Sequence, residues 1–460
     1  MSMNQIIAGV LFTAIVISVK AQDTTTSFLG TKTPYSPLQT KYTPAPRGFQ
    51  PVFINYAGRH GARFLTKPGG DVAVLSLLSQ AEKENALTHD GKTAKQMAEN
   101  FLSIEKDNYE NITLLGQYEQ TNIGARMLAN YAGVFTGRGL NVVMTHKVRT
   151  QQSADAFLKG MPCYASAKIS RSILSDSMDM ALRFYDLSPA YTAYKNSDAL
   201  QKRVDSVMNK VQLTAIAGKL CSRLFTGDFA QRLLDGKVKT ESANGKQKAY
   251  TALQLMQDLY DLYTVRYSVR KEMQAKGLTP GSIDFGIWFS QGDLQLLDHI
   301  NNAPDFLEKG PAFNPLGIQV ANAVPLLVDF IKTTDAFIQQ PTSADATLRF
   351  THAEAISPFA ALLGIPEAST TTHTIADYDK YWQASHIIPL SANIQWILYK
   401  NSNQYYIKVL LNEKEVKLPV ATQTWPYYQW DAVKAYYLQL LQQLHTSLDT
   451  DMRQYLENLK

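Results

Sequence analysis

The chain has 460 residues and a formal net charge of +5, with 45% hydrophobic and 10% aromatic residues. That composition excludes a disordered or fibrous protein and supplies a core for one large domain with an insertion, or for two domains. The mild charge, with no basic run interleaved with aromatics, argues against a nucleic-acid partner, and two cysteines exclude a disulfide scaffold.

Ile6 to Val19 is almost entirely apolar and runs into Val19-Lys20-Ala21, a small-residue cleavage pattern. Residues 1–21 therefore read as a secretory signal peptide, too short for a spanning helix; an uncleaved membrane anchor is the alternative. Its removal takes one lysine and no acid, so the mature charge is +4. The expected destination is the periplasm, a vesicle or the medium, without stable membrane insertion. Residues 22–48 are rich in Thr, Pro and Ser and read as an extended arm lying on the domain.

A buried strand is expected over 51–57, where Val52-Phe53-Ile54 leads into Asn55-Tyr56-Ala57-Gly58-Arg59-His60-Gly61-Ala62-Arg63. Gly58 and Gly61 allow a sharp turn and close approach to a ligand. A histidine between two arginines suits a phosphoryl group. Imidazole can attack phosphorus and carry it covalently, and guanidinium forks match phosphate oxygens. Helical spacing follows over Val72–Ala86, Thr93–Ile104 and from Leu114 through Tyr131. Asn111-Ile112-Thr113 is a glycosylation sequon, meaningful in a eukaryotic source.

Leu140–Thr145 is the second clear strand and ends at His146-Lys147-Val148-Arg149, followed by a helix bearing Ala154, Phe157 and Leu158. In an open α/β sheet, ligands gather beyond the carboxyl ends of strands, which places Arg149 with Arg59, His60 and Arg63. From about 165 to 335 the strand signal fades and a helical insertion is expected. Ala181-Leu182-Arg183-Phe184-Tyr185-Asp186 precedes it; Arg183 either reaches a phosphate from the cap or pairs with Asp186. Thr347–Phe350 is a short strand signal ending at Thr351-His352-Ala353-Glu354, with a helix continuing from Ser357. Glu354 falls in a first helical turn, where a carboxylate is favoured. Strands follow over Ile394–Tyr399 and Tyr405–Leu411, the second turning through Asn412–Glu415 into Val416-Lys417-Leu418, and an amphipathic helix over Val433–Leu448 closes the chain. Cys163 and Cys221 form one bridge or stay as buried thiols. No C-x-x-C or H-E-x-x-H spacing occurs, so no metal site or cofactor is expected.

Arg59-His60-Gly61-Ala62-Arg63 resembles the signature of the histidine phosphatases, in their acid-phosphatase and phytase branch, with Leu65 where that family has a proline. Thr351-His352-Ala353-Glu354 resembles the distal half of the signature. Many relatives carry His-Asp there, and the His-Ala-Glu form is similar to the multiple inositol polyphosphate phosphatases, as is the stretch around Arg183. The resemblance implies a phosphoglycerate-mutase-like α/β domain (22–164 and 336–460) with an inserted helical cap (165–335). It also implies a monomeric, metal-free hydrolase of inositol polyphosphates such as phytate. His60 would be the nucleophile, with Arg59, Arg63, Arg149 and His352 holding the phosphoryl group and Glu354 as proton donor. Arg183, Lys67 and Lys147 are candidate contacts for further phosphates, the two lysines otherwise being solvated loop residues. The alternatives are a narrower acid or sugar-phosphate phosphatase, a mutase, or a non-catalytic binder of phosphorylated ligands.

Overall fold

The computed structural model describes residues 28–241, 244–341, 344–402 and 404–460. The expected signal peptide, 1–21, lies outside them. Ten strands are described: β1 (Gln50–Arg59), β2 (Leu140–Thr145), β3 (Ile169–Leu174), β4 (Val238–Glu241), β5 (Gln247–Tyr250), β6 (Ala346–Thr351), β7 (Asn393–Lys400), β8 (Tyr405–Leu411), β9 (Lys414–Glu415) and β10 (Tyr428–Gln429). Eight make one mixed sheet, ordered β10-β8-β7-β1-β6-β2-β3 with β9 on β8, while β4 and β5 form a separate hairpin. β1, β6, β2 and β3 are parallel neighbours, and β7 and β8 extend the sheet antiparallel from β1.

The near-continuous apolar run of β1 follows from its central place, covered on both faces. On one face, Val324–Gln339, Ala353–Leu362 and Trp430–Gln443 pack Phe330, Phe359 and Tyr437 around Trp396. On the other, α3 (Leu114–Asn130) and α4 (Val148–Lys159) bring Ile123, Met127 and Phe157 against Tyr56 and Phe350. A second apolar body joins α1 (Gly70–Lys83) and α2 (His89–Glu105) to Lys210–Leu224 and Ala252–Val265.

Four features differ from the sequence reading. β3 carries the main sheet past residue 164. It is mostly exposed along its length, so it lacks the apolar run that marks a covered strand. The β4–β5 hairpin interrupts the expected helical insertion. α1 and α2 belong to the helical body, because Val74, Leu77, Leu78 and Ala81 match the apolar face of 252–265. Past β8, Asn412 and Glu413 both take left-handed backbone (φ +51° and +60°), a tight hairpin turn, and the return strand ends at Glu415 instead of running on to Leu418. Cys163 and Cys221 are both free, the first exposed and the second buried.

Candidate active site

Strand register assembles the site. Arg59 of β1 lies abreast of Thr351 of β6, and Met144 of β2 abreast of Phe350. The residues after three adjacent parallel strands therefore emerge side by side: His60 after β1, His352 after β6, and the turn into α4 after β2. The two imidazole rings meet edge on, 5.6 Å between centroids. Arg149 and Glu354 sit in the first turns of α4 and of the helix Ala353–Leu362, the position the sequence reading gave to Glu354.

The loop after β1 is held from beneath. Gly61 and Gly116 cross so closely that a Cβ on Gly61 would lie 2.6 Å from the Gly116 carbonyl oxygen. Gly61 N–H donates to Ser153 Oγ of α4 (3.0 Å), which donates to the Arg149 carbonyl (2.6 Å). Glu119 of α3 is buried and accepts from Tyr35 N–H (2.8 Å), Ala62 N–H (2.9 Å) and Ser391 Oγ (2.7 Å). Gln120 donates to the Arg59 carbonyl and to Ser391. Ser391 takes left-handed backbone (φ +58°) and donates its own N–H to the His60 carbonyl, local strain held at a functional loop. Glu119→Gln would turn an amide N–H toward buried donors. It is expected to cost about 1–3 kcal/mol, measured by chemical unfolding.

His60 Nδ1 lies 2.9 Å from the Gly61 carbonyl, which can only accept. The proton therefore sits on Nδ1, and the Nε2 lone pair is available for attack. Burial, then the charges of Arg59, His352, Arg63 and Arg149, push His60 well below the ordinary imidazole value. His352 Nε2 is 3.1 Å from Thr145 Oγ1 and 3.4 Å from Arg183 Nη1, which can only donate. Nε2 accepts, so Nδ1 of His352 carries the proton. That Nδ1 is buried without a hydrogen-bond partner, as are Arg59 Nε and Arg149 Nε and Nη1. The other end of Arg59 is fixed by the carbonyls of Thr31 (2.7 Å) and Ile388 (2.6 Å). Arg63 donates to the Phe64 carbonyl (2.7 Å), and burial with Arg149 and Arg59 lowers it to about 10, still fully charged near neutral pH.

Glu354 Oε1 lies 3.3 Å from Lys309 Nζ, which is itself 2.7 Å from Asp305. Burial would raise the Glu354 carboxyl, but Lys309, His352 and Arg59 outweigh it and hold it well below the usual carboxylate range. Arg183 pairs with Asp186, the second of the two alternatives, and its guanidinium also lies 3.4 Å from His352 Nε2. Lys67 lies on an exposed loop and Lys147 in the half-buried turn before α4. Among the described residues, no group of three or more His, Cys, Asp or Glu is placed to hold a metal ion.

Sequence reasoning missed Glu119, Gln120, Ser153 and Lys309. Glu119 had a signal: it shares a helix face with Ile123 and Met127, four and eight residues on, and an acid on an apolar face needs buried donors. Lys309 had none, since a lysine at a helix end is usually solvated.

Residues 58–412 match the histidine phosphatase superfamily (branch 2). Multiple inositol polyphosphate phosphatase 1 of Homo sapiens is 22% identical over 367 residues, 73% of this chain and 67% of that one. The structure of Bifidobacterium longum multiple inositol polyphosphate phosphatase in complex with inositol hexasulfate shares the fold, with a TM-score of 0.76 at 20% identity over 92% of this chain and 99% of that one. The phytase from D. castellii also shares it, with a TM-score of 0.62 at 15% identity over 95% and 88%. The chain belongs to branch 2 of the histidine phosphatase superfamily.

Proposed function

We propose that this enzyme removes phosphates from inositol polyphosphates such as phytate through a phosphohistidine at His60. The observation that carries the reading is the convergence of buried, unpaired donors (Arg59 Nε, Arg149 Nε and Nη1, His352 Nδ1) on a neutral imidazole. Such donors are costly to leave unmatched and are matched by a phosphoryl group's oxygens. The substrate class comes from the relatives and from the His-Ala-Glu form of the distal motif.

In the first step Nε2 of His60 attacks phosphorus. A P–N bond forms, the P–O bond to the ring breaks, and Glu354 gives its proton to the departing alkoxide. Arg59, Arg63, Arg149 and His352 hold the three remaining oxygens. In the second step the Glu354 carboxylate takes a proton from water, the resulting oxygen attacks phosphorus, and the P–N bond breaks to release phosphate and neutral His60. The helical body, centred on residues 165–335 and joined by α1 and α2, serves as the cap over this site. Residues 1–21 direct export, and the mature chain works as a monomer. Phosphate release from phytate in EDTA, compared with release from glucose phosphates, tests the substrate. Release from glucose phosphates alone would overturn it.

Glu354 must be protonated to act as an acid, yet Lys309 holds it ionised in the empty site. An entering phosphate dianion opposes Lys309 and raises the carboxyl. Lys309→Met removes the depressing charge, so the alkaline limb of kcat, which titrates the substrate-bound enzyme, is expected to move to higher pH by about one unit. A limb that stays in place would separate Lys309 from the proton donor.

A further inference from the structure

The loop after β1 is gripped from the helical body as well as from α3. Residues 62–65 run against the return from α2 to α3. Thr113 N–H donates to the Ala62 carbonyl (2.8 Å), Phe64 N–H to the Asn111 carbonyl (3.1 Å) and Glu110 N–H to the Leu65 carbonyl (2.8 Å), and Arg63 is bridged to Ile112. Asp107 and Glu110 both take left-handed backbone (φ +66° and +69°) in making that return, local strain beside a functional loop.

One peptide group in this segment is held at both ends. Glu105, the last residue of α2, accepts from Leu65 N–H with Oε2 at 2.8 Å. The Phe64 carbonyl, the other half of the same peptide, accepts from Arg63 Nη1 at 2.7 Å. A peptide is a rigid plane, so the Glu105 carboxyl sets the direction of the carbonyl that holds the Arg63 guanidinium. A proline at position 65 would have no N–H to offer; leucine has one.

Glu105 is otherwise an unfavourable residue for its place. It is fully buried on the apolar face of α2, four residues past Phe101. Among the described residues its Oε1 has no hydrogen-bond partner and the carboxyl makes no ion pair. It also stands at a helix C-terminus, where the dipole opposes negative charge. Burial pushes the carboxyl up to about 8 against the Leu65 N–H and Arg63, with Asp71 and Glu272 adding to the rise. Near neutral pH it is therefore uncharged, and it orients the peptide without neutralising Arg63. A methionine would fill the same space without burying a polar group, so what the carboxyl adds is the hydrogen bond to Leu65.

We propose that Glu105 is a positioning residue for Arg63, acting through the Phe64–Leu65 peptide, so that the helical body sets how the loop after β1 holds a phosphoryl group. This rests on the reading above that Arg63 binds phosphoryl oxygens.

The test measures the dissociation constant of inorganic phosphate by calorimetry on the full chain at one fixed pH. Glu105→Met, near in size but without an acceptor, is expected to weaken phosphate about fivefold to tenfold, most of one charge-assisted contact. Glu105→Gln keeps the acceptor and should stay within about twofold of the wild type. On an Arg63→Met background, Glu105→Met should add less than about twofold, because the group it orients is gone. Glu105→Asp draws the carboxyl back by one methylene and should resemble Glu105→Met. It carries the comparison if Glu105→Met lowers the thermal midpoint. Unchanged affinity in both Glu105→Met and Glu105→Asp overturns the proposal. So does a Glu105→Gln as weak as Glu105→Met, or a loss as large on the Arg63→Met background as on the wild type, which would assign Glu105 to the fold of the loop. Arg63→Met alone tests the reading beneath. Unchanged affinity there overturns the part of Arg63 in binding, and the positioning with it. Weakened affinity in Arg63→Met with unchanged affinity in the Glu105 variants leaves the phosphate site standing and removes Glu105 from it.

Discussion

His60→Ala is expected to abolish phosphate release, with a loss of at least about ten-thousandfold in kcat, or roughly 5.4 kcal/mol. The size follows from the covalent route: without Nε2 there is no P–N bond, and what remains is electrostatic stabilisation by the arginines around an unactivated water. The fold should survive. Among the described residues the imidazole makes one hydrogen bond, to the adjacent Gly61 carbonyl, while the loop is held by Glu119, Gln120 and Ser153. The variant should therefore keep its thermal midpoint and still bind inorganic phosphate by calorimetry, through Arg59, Arg63 and Arg149. A variant retaining even about a hundredth of the rate would remove His60 from the bond-making step.

The second large effect falls on Glu354 and depends on the leaving group. Glu354→Gln cannot give a proton to a departing alkoxide, so kcat on phytate is expected to fall by about a hundredfold to ten-thousandfold. On p-nitrophenyl phosphate the leaving phenolate needs no proton, and formation of the phosphohistidine should remain fast. Hydrolysis of that intermediate still needs Glu354 as base, so a rapid burst of p-nitrophenol should precede a slow steady state. Equal slowing of both substrates, with no burst, would give Glu354 a role in holding the site rather than in proton transfer. The same carboxylate explains why Lys309 matters. Lys309, held by Asp305, lies against Glu354; in the proposed mechanism its charge keeps the base ionised for the second step, and the incoming phosphate restores the acid for the first.

The central sheet was legible because β1, β2 and β8 are apolar runs bounded by turn signals, and the structure gives their bounds within two residues. β3 was not, because Ile169–Leu174 lies at the sheet edge with most of its side chains in solvent, and its pattern is that of a loop. The placement of α1 and α2 in the helical body was hidden for another reason: an apolar helix face shows that it is buried, not against what. Within the site, the residues recognised from sequence are those that follow directly on strand ends, Arg59, His60, His352 and the Arg149 turn, which register brings together. The supporting residues come from helix interiors and from the arm. Their part depends on which distant segment lies opposite, as when Glu119 meets Tyr35, Ala62 and Ser391 at once.

Trapping the covalent intermediate tests the account most directly. Glu354→Gln would be mixed with p-nitrophenyl phosphate, quenched in alkali within the burst, digested and mapped by mass spectrometry. The account predicts a single phosphorylated peptide carrying the phosphoryl group on His60, at near one equivalent per chain. Phosphate on His352, or no phosphorylated histidine despite a burst, would contradict it.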